Sequence, residues 1–436
     1  MKHTLLDRIL NIIAENNIQN YLISQTITNS EELFYIKKDL QLIRNKTTTK
    51  CDVTIYNDYE YNKTPMRGSS SFIADISMTD EELYNRIMSA YNSALSVKNP
   101  YYQIPIGKQM FSDSDNTCSD NIDSIKIFTA QEIADMLFKN DINTDAFINS
   151  AEIFVTCQDV QIVNSNGINV SYSDVTYSGE YVVQALKPDD VELYYNFKYS
   201  YLNKDISKAL EDKLHNSLNA VRDRARAKSV TNNDIKMKYN RIIIEGTSVY
   251  DLFLYYLRRL DASMIYPGYS TFSLNGIVVS ENDNDNQTSV DNINITLMPA
   301  TPYSPEGIPL IRTQLIENNI ARLITGDSRF SHYLGIPATG TYDSYSMKCG
   351  NTSIKEFETE PYLKIVNFSD FQMNELTGQF GGEYRLAYYF DGVNIIPVTN
   401  GSLSGNINDL VKSMHLSKES QSSYSFQGPL AVAYYD

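Results

Sequence analysis

The chain has 436 residues, 42% of them apolar, with 33 Tyr, 17 Phe and no Trp; this excludes global disorder and is too long for one ordinary core. A net charge of −16 repels phosphate backbones and anionic bilayers, which argues against sequence-independent nucleic-acid binding and against membrane-surface attachment. No run of about 18 apolar residues occurs, so no spanning helix is expected.

The opening residues MKHTLLDRILNIIAENN place Leu5, Leu6, Ile9, Leu10 and Ile13 at helical spacing, interrupted by Asp7, Arg8 and Glu15. That pattern predicts an amphipathic helix of the folded domain, not a signal peptide. ELFYIKKDLQLIRN (32–45), KCDVTIYNDYE (50–60) and GSSSFIADIS (68–77) read as strands. Thr79 with Glu82 then forms a capping box for a helix reaching about Val97. The expectation is an α+β unit over 1–110, built as helix, β-meander, helix.

FSDSDNTCSDNID (111–123) is the best linker candidate. Thr129 and Glu132 cap a second helix, and SAEIFVTCQDVQIV, GINVSYSDV and GEYVVQAL read as three strands. The first two are joined by a turn, Asn164–Gly167, whose Asn-Gly pair tolerates positive φ. A long helix over about 204–229 closes a middle α+β unit, expected over 111–230.

From 231 to 436 a β-rich domain is expected. RIIIEG reads as a strand leading into SVYDLFLYYLRRLDAS (248–263), a helix with Ser248 and Asp251 as its capping box. Leu252, Phe253, Tyr256, Leu257 and Leu260 share one face of it. TFSLNGIVVS and NINITLMPA read as strands around a disordered-looking ENDNDNQTS. Asp391-Gly392 joins two alternating strands as a hairpin, and Ser404-Gly405-Asn406 starts a helix.

The residues carry no local signature of catalysis. His3, His215, His332 and His415 stand far apart, so there is no zinc-binding pair on one helix. G-x-S-x-G and the phosphate-binding P-loop are both missing. Cys51, Cys118, Cys157 and Cys349 form no C-x-x-C, which reads as free thiols in a reducing cytosol. Glu306 and Asp327 are a carboxylate pair that could meet in space. Arg258 and Arg259 read either as a solvated face or as a pair lining a cleft, where a guanidinium fork matches a peptide carboxylate. Tyr255 and Tyr256 are candidates for the same cleft, against the alternative of core packing.

YSPEGIPLIRTQLIENNIARLITGDSRFSHYLG (303–335) and TGQFGGEYRLAYYFDGVNIIPVTNGSLSGNINDLVK (377–412) resemble the TldD/PmbA family, also called modulators of DNA gyrase. Glu306, Gly307, Pro309, Arg312, Thr313, Leu315 and Ile316 match its EG-x-P-x-x-R-T-x-L-I phrase. Gly392, Pro397, Val398, Gly405 and Asn406 match the later P-V and G-N run. INSAEIFVTCQDVQIVNSNGINVSYSD is similar to the family's middle domain.

The resemblance implies an α+β fold with a β-rich C-terminal domain of the TldD/PmbA type. It also implies a zinc peptidase chemistry that this chain lacks the ligands to run. In the TldD branch, H-E-x-x-x-H on the first helix of the C-terminal domain and a cysteine near the C-terminus hold the metal. The corresponding helix here carries Phe253, Leu254, Tyr255, Tyr256, Leu257, Arg258 and Arg259, and SSYSFQGPLAV (422–432) contains no cysteine. That pattern resembles the metal-free PmbA (TldE) branch. It implies no catalytic residue, cofactor or metal in this chain, with zinc only in a TldD-type paralogue, and a cytoplasmic dimer with that paralogue or with itself that handles extended peptides. Two alternatives stay open: a peptide-binding homodimer without catalysis, and a peptidase with a non-zinc site.

Overall fold

The computed structural model describes residues 4–107, 127–139, 141, 145–188, 191–203, 205–231, 235–279 and 290–435. The linker candidate 111–123 and the stretch 281–289 lie outside the described residues. The fold is mixed α+β, with three β-sheets.

Helix α1 (Leu5–Glu15) buries Leu5, Leu6, Ile9 and Ile13 as its spacing predicts, and adds Ile12. Strands β1 (Asn20–Ile36), β2 (Asp39–Tyr61) and β3 (Thr64–Asp75) follow, then helix α2 (Asp80–Ala94). Helix α3 (Ala130–Phe138), strands β4 (Ala146–Asn164), β5 (Asn169–Ala185) and β6 (Glu192–Ser200), and helix α4 (Ile206–Ala225) make the middle part. The capping boxes of α2 at Thr79 and Glu82 and of α3 at Thr129 and Glu132 are formed.

All six strands belong to one antiparallel sheet in the order β3-β2-β1-β4-β5-β6. β1 pairs with β4 from Leu22 opposite Asn164 to Ile36 opposite Ser150. The boundary expected near 110 therefore separates two hydrophobic clusters, one under α1 and α2 and one under α3 and α4, while the sheet runs through both.

Three local readings need correction. Segment 32–45 is not one strand: Lys37 adopts φ 56° and turns the chain, so Phe34 and Leu42 face each other across a hairpin. GINVSYSDV and GEYVVQAL are one strand, β5. Gly179 between them marks a close approach, since a Cβ there would stand 2.5 Å from the Glu152 carbonyl oxygen and 2.7 Å from the Phe197 ring. The described part of TFSLNGIVVS, residues 271–279, forms no strand, only a single bridge from Ile277 to Ile320.

The C-terminal part holds the other two sheets. Its strands are β7 (Lys228–Ser229), β8 (Arg241–Glu245), β9 (Ile295–Leu297), β10 (Thr313–Glu317), β11 (Ile320–Ala321) and β12 (Tyr345–Met347). They continue with β13 (Tyr362–Met373), β14 (Gln379–Phe390), β15 (Ile395–Thr399), β16 (Gly401–Asn406), β17 (His415–Leu416), β18 (Ser420–Ser422), β19 (Phe426–Pro429) and β20 (Ala431–Tyr435). One sheet runs β17-β20-β8-β13-β14-β15-β7, with β16 on β14; the other runs β11-β10-β9-β12-β19-β18. The Asp391-Gly392 hairpin joins β14 to β15, and Asn406 caps a short helix over Ile407–Leu410.

Helix α5 (Ser248–Arg259) lies between these sheets. Leu252, Phe253, Tyr256 and Leu257 share one cluster with Ile244 and Leu363 of the first sheet and with Leu297, Leu315 and Tyr345 of the second. A helix apolar on most of its circumference is stable only where protein covers it on several sides, and here it is so covered.

Candidate functional site

β8 ends in Gly246, whose φ of 88° turns the chain out of the strand, and its N–H donates to the Leu430 carbonyl at 2.9 Å. α5 begins two residues later. Ser248 is its first helical residue, not its cap; Thr247 holds the cap position and makes no side-chain capping bond. The capping box expected from Ser248 and Asp251 is therefore not formed, which leaves the Asp251 carboxylate free for another role.

Beyond Asp251 the helix is sealed. Tyr256 is fully buried and stacks on Phe272, centroids 6.2 Å apart and 5° between planes, and on Phe253 at 6.3 Å. Tyr255 meets Tyr256 edge-on at 5.2 Å. The buried Arg259 guanidinium donates to the carbonyls of Tyr269 and Leu376 and lies over the Tyr255 and Phe272 rings. Tyr255, Tyr256 and Arg259 thus face the core rather than a cleft, because the 269–272 segment and Leu376 close over this part of the helix. Of the four candidates only Arg258 reaches the surface, where Nε stands 3.3 Å from Glu375.

The two segments that hold zinc in the TldD branch do come together in this fold. Phe426, from the 422–432 segment, packs on Tyr250 at 6.0 Å and on Tyr345 at 5.0 Å, and Tyr345 Oη donates to the Tyr250 carbonyl. The junction is made of aromatic rings. The only register of H-E-x-x-x-H on α5 that keeps an acid puts Tyr250 and Tyr255 at the imidazole positions. Among the described residues no group of three or more His, Cys, Asp or Glu gathers as a metal would need. The residues present do not fit a zinc ion.

A polar cavity of about 390 Å³ opens at the other end of α5. Its walls come from β6 (Tyr194, Tyr195, Asn196), α4 (Lys213), the β8–α5 junction (Glu245 to Asp251), β13 (Asn367, Phe368, Ser369) and β14 (Arg385). It therefore lies where the middle and C-terminal parts meet, a usual setting for ligand sites. The Tyr388 hydroxyl donates to Asp223 at 2.6 Å and the Tyr424 hydroxyl to Asp174 at 3.3 Å, which holds the two parts together beside it.

Burial pushes the Asp251 carboxyl up to about 6 and lowers the Lys213 ammonium below its ordinary value. Glu245 is raised by burial against the opposing pull of Lys364, 3.7 Å away. Charged groups shifted toward neutrality in a cavity are the usual physical signature of a ligand site. From sequence, Asp251 reads only as a capping residue; its place as the lone acid on an apolar helix is the signal that could have found it. Lys213 and Arg385 carried no such signal, since each sits in a segment with many charges.

The remaining candidates have structural duties. Glu306 accepts from Ser328 N at 2.8 Å and Oγ at 2.6 Å, and Asp327 caps helix Ser328–Leu334 through Phe330 N at 2.8 Å. Both carboxylates lie at the start of that helix and hold it. The Cys157 and Cys349 thiols are both raised by burial, the reverse of an activated nucleophile.

Residues 236–433 match the family described as PmbA/TldA metallopeptidase C-terminal domain. An uncharacterized protein of Methanocaldococcus jannaschii is 22% identical over 296 residues, covering 64% of this chain and 67% of that protein. TldE from Thermococcus kodakarensis has the same fold, with a TM-score of 0.74 over 98% of both chains at 14% identity. Two candidate modulators of DNA gyrase superpose similarly, each at 14% identity and over 98% of this chain. The one from Thermotoga maritima scores 0.71 over 97% of its own chain, and the one from Bacteroides thetaiotaomicron 0.74 over 96%. The match and the shared fold lead to one conclusion: residues 236–433 form a domain of the PmbA/TldA metallopeptidase C-terminal family, on a chain with the fold of TldE.

Proposed function

We propose that this chain is a non-catalytic member of a peptidase family: a cytoplasmic subunit that pairs with a zinc-bearing TldD-type paralogue and helps it handle extended peptides. The observation that carries this reading is the filling of α5. Where the TldD branch uses imidazoles, the helix presents Tyr250, Phe253, Tyr255 and Tyr256, and three of these are buried in apolar packing. The helix offers a divalent ion no imidazole or thiolate and only the single carboxylate of Asp251, and the Arg259 guanidinium nearby repels a cation. Extended peptides suit such a β-rich chain, because strand addition needs little side-chain specificity.

Co-expression with an H-E-x-x-x-H paralogue tests the reading. The expected result is co-elution of the two chains and cleavage of an unfolded peptide that stops on chelation. Chelator-insensitive cleavage by this chain alone, or failure to co-elute, would overturn it. A second reading, self-association without catalysis, is favoured by β2. β3 covers only residues 50–61 of that strand, so the remainder presents an edge with Leu40 and Leu42 exposed. Sedimentation of the chain alone and with the paralogue decides between the two.

A further inference from the structure

The cavity at the start of α5 holds charges that no described residue pairs. Among the described residues, Lys213, Arg385 and Asp251 make no side-chain hydrogen bond or ion pair, although all three line the same half-buried space. The Arg385 guanidinium lies 4.8 Å over the Tyr194 ring, which holds it in place and leaves its N–H fork open. Partly buried charges without partners cost free energy, and a complementary ligand recovers it.

The mixture of signs selects the ligand. A phosphate would meet the cations but would be repelled by Asp251 and Glu245 in the same walls. A metal ion would meet those carboxylates but would be repelled by Lys213 and Arg385. A molecule carrying both an ammonium and a carboxylate satisfies both sets.

We propose that this cavity binds an α-amino-acid zwitterion, as a free amino acid or a short peptide with both termini free, its carboxylate held by Lys213 and Arg385 and its ammonium by Asp251. The volume of about 390 Å³ lies at the small end of ligand pockets. The proposal deepens the peptide-handling reading above by naming a place where free termini are recognised.

Calorimetric titration of the full chain with leucine, alanyl-leucine, N-acetyl-alanyl-leucine, alanyl-leucine amide and inorganic phosphate tests it. Leucine or alanyl-leucine should bind, with the stronger of the two identifying the source. Each blocked peptide should bind at least about tenfold more weakly, the loss expected for one charge-assisted contact. Lys213→Met and Asp251→Asn should each cost a similar factor while the circular dichroism spectrum stays unchanged. Blocked and free peptides binding alike, phosphate displacing the peptide, or no heat from any zwitterion would overturn the assignment. The blocked-peptide comparison uses the unaltered chain, so a variant that fails to fold does not decide it. Co-elution with the paralogue is a separate measurement: loss of zwitterion binding with co-elution intact removes only this site, and the reverse removes only the subunit reading.

Discussion

From Leu252 to Leu260, α5 is closed between two sheets, whereas from Gly246 to Asp251 the same stretch of chain opens onto a polar cavity. In the first region every large ring has a ring for a neighbour, and the one buried guanidinium is tied to two carbonyls. In the second, Asp251, Lys213 and Arg385 make no side-chain hydrogen bond or ion pair among the described residues. The difference teaches that one helix can serve the core along most of its length and still present a partly buried charge to a cavity at its first turn.

Substitutions that attack the closed region should have the largest effects. Tyr256→Ala removes a fully buried ring stacked on Phe272 and Phe253 and should cost about 3–5 kcal/mol in urea unfolding. Its hydroxyl is buried without a hydrogen-bond partner among the described residues, so Tyr256→Phe should be neutral or stabilise by up to about 1 kcal/mol. A large loss in both variants would mean that the hydroxyl, not the ring, holds the helix. Arg259→Ala strands the Tyr269 and Leu376 carbonyls and should cost about 2–3 kcal/mol by the same measurement.

The open end should respond in the other direction. Burial raises the Asp251 carboxyl to about 6, above its unfolded value, so the folded state binds its proton more tightly than the unfolded state does. The ionised carboxylate therefore lowers stability fully above pH 6, and the penalty fades as pH falls toward 4. Asp251→Asn should unfold at higher urea than the parent at pH 7.5, by about 1–2 kcal/mol, with the gap closing between pH 6 and 4. A gap that does not change with pH would show that the carboxylate is solvated and the cavity is not a low-dielectric site. The smallest effect belongs to Arg258→Ala: its pair with Glu375 is 38% exposed on both sides, and its removal should change stability by less than about 0.5 kcal/mol. A larger change would move Arg258 into the same class as Arg259.

Much of the fold was legible locally. The capping boxes at Thr4, Thr79, Thr129 and Ser353 involve residues only three apart, and those at Thr79 and Thr129 were readable as pairs. The Asp391-Gly392 hairpin and the apolar face of α5 follow from equally short-range patterns. Only residues 32–36 of β1 lay in a segment read as strand, because the preceding TITNSE is polar and carries little strand pattern. Its neighbours β2 and β4 supply the pairing that makes it a strand, and β4 lies over a hundred residues away. Tyr255 and Arg259 stayed open between a cleft and the alternatives for a related reason: helical spacing says which residues share a face, not what covers that face.

By itself the sequence determined the family phrases, the positions of most helices, the absence of imidazoles from the first helix of the C-terminal domain, and the acidic balance. These depend on residue identity and on neighbours within a turn or two. Tertiary structure alone decided that one sheet spans the N-terminal and middle parts, that both sheets of the C-terminal part close over α5, and that Lys213, Asp251 and Arg385 share a cavity. Those three residues come from elements far apart in the chain, and the pattern around each is satisfied equally well by an exposed surface. Only the packing of α4, α5 and β14 against one another places their charges together.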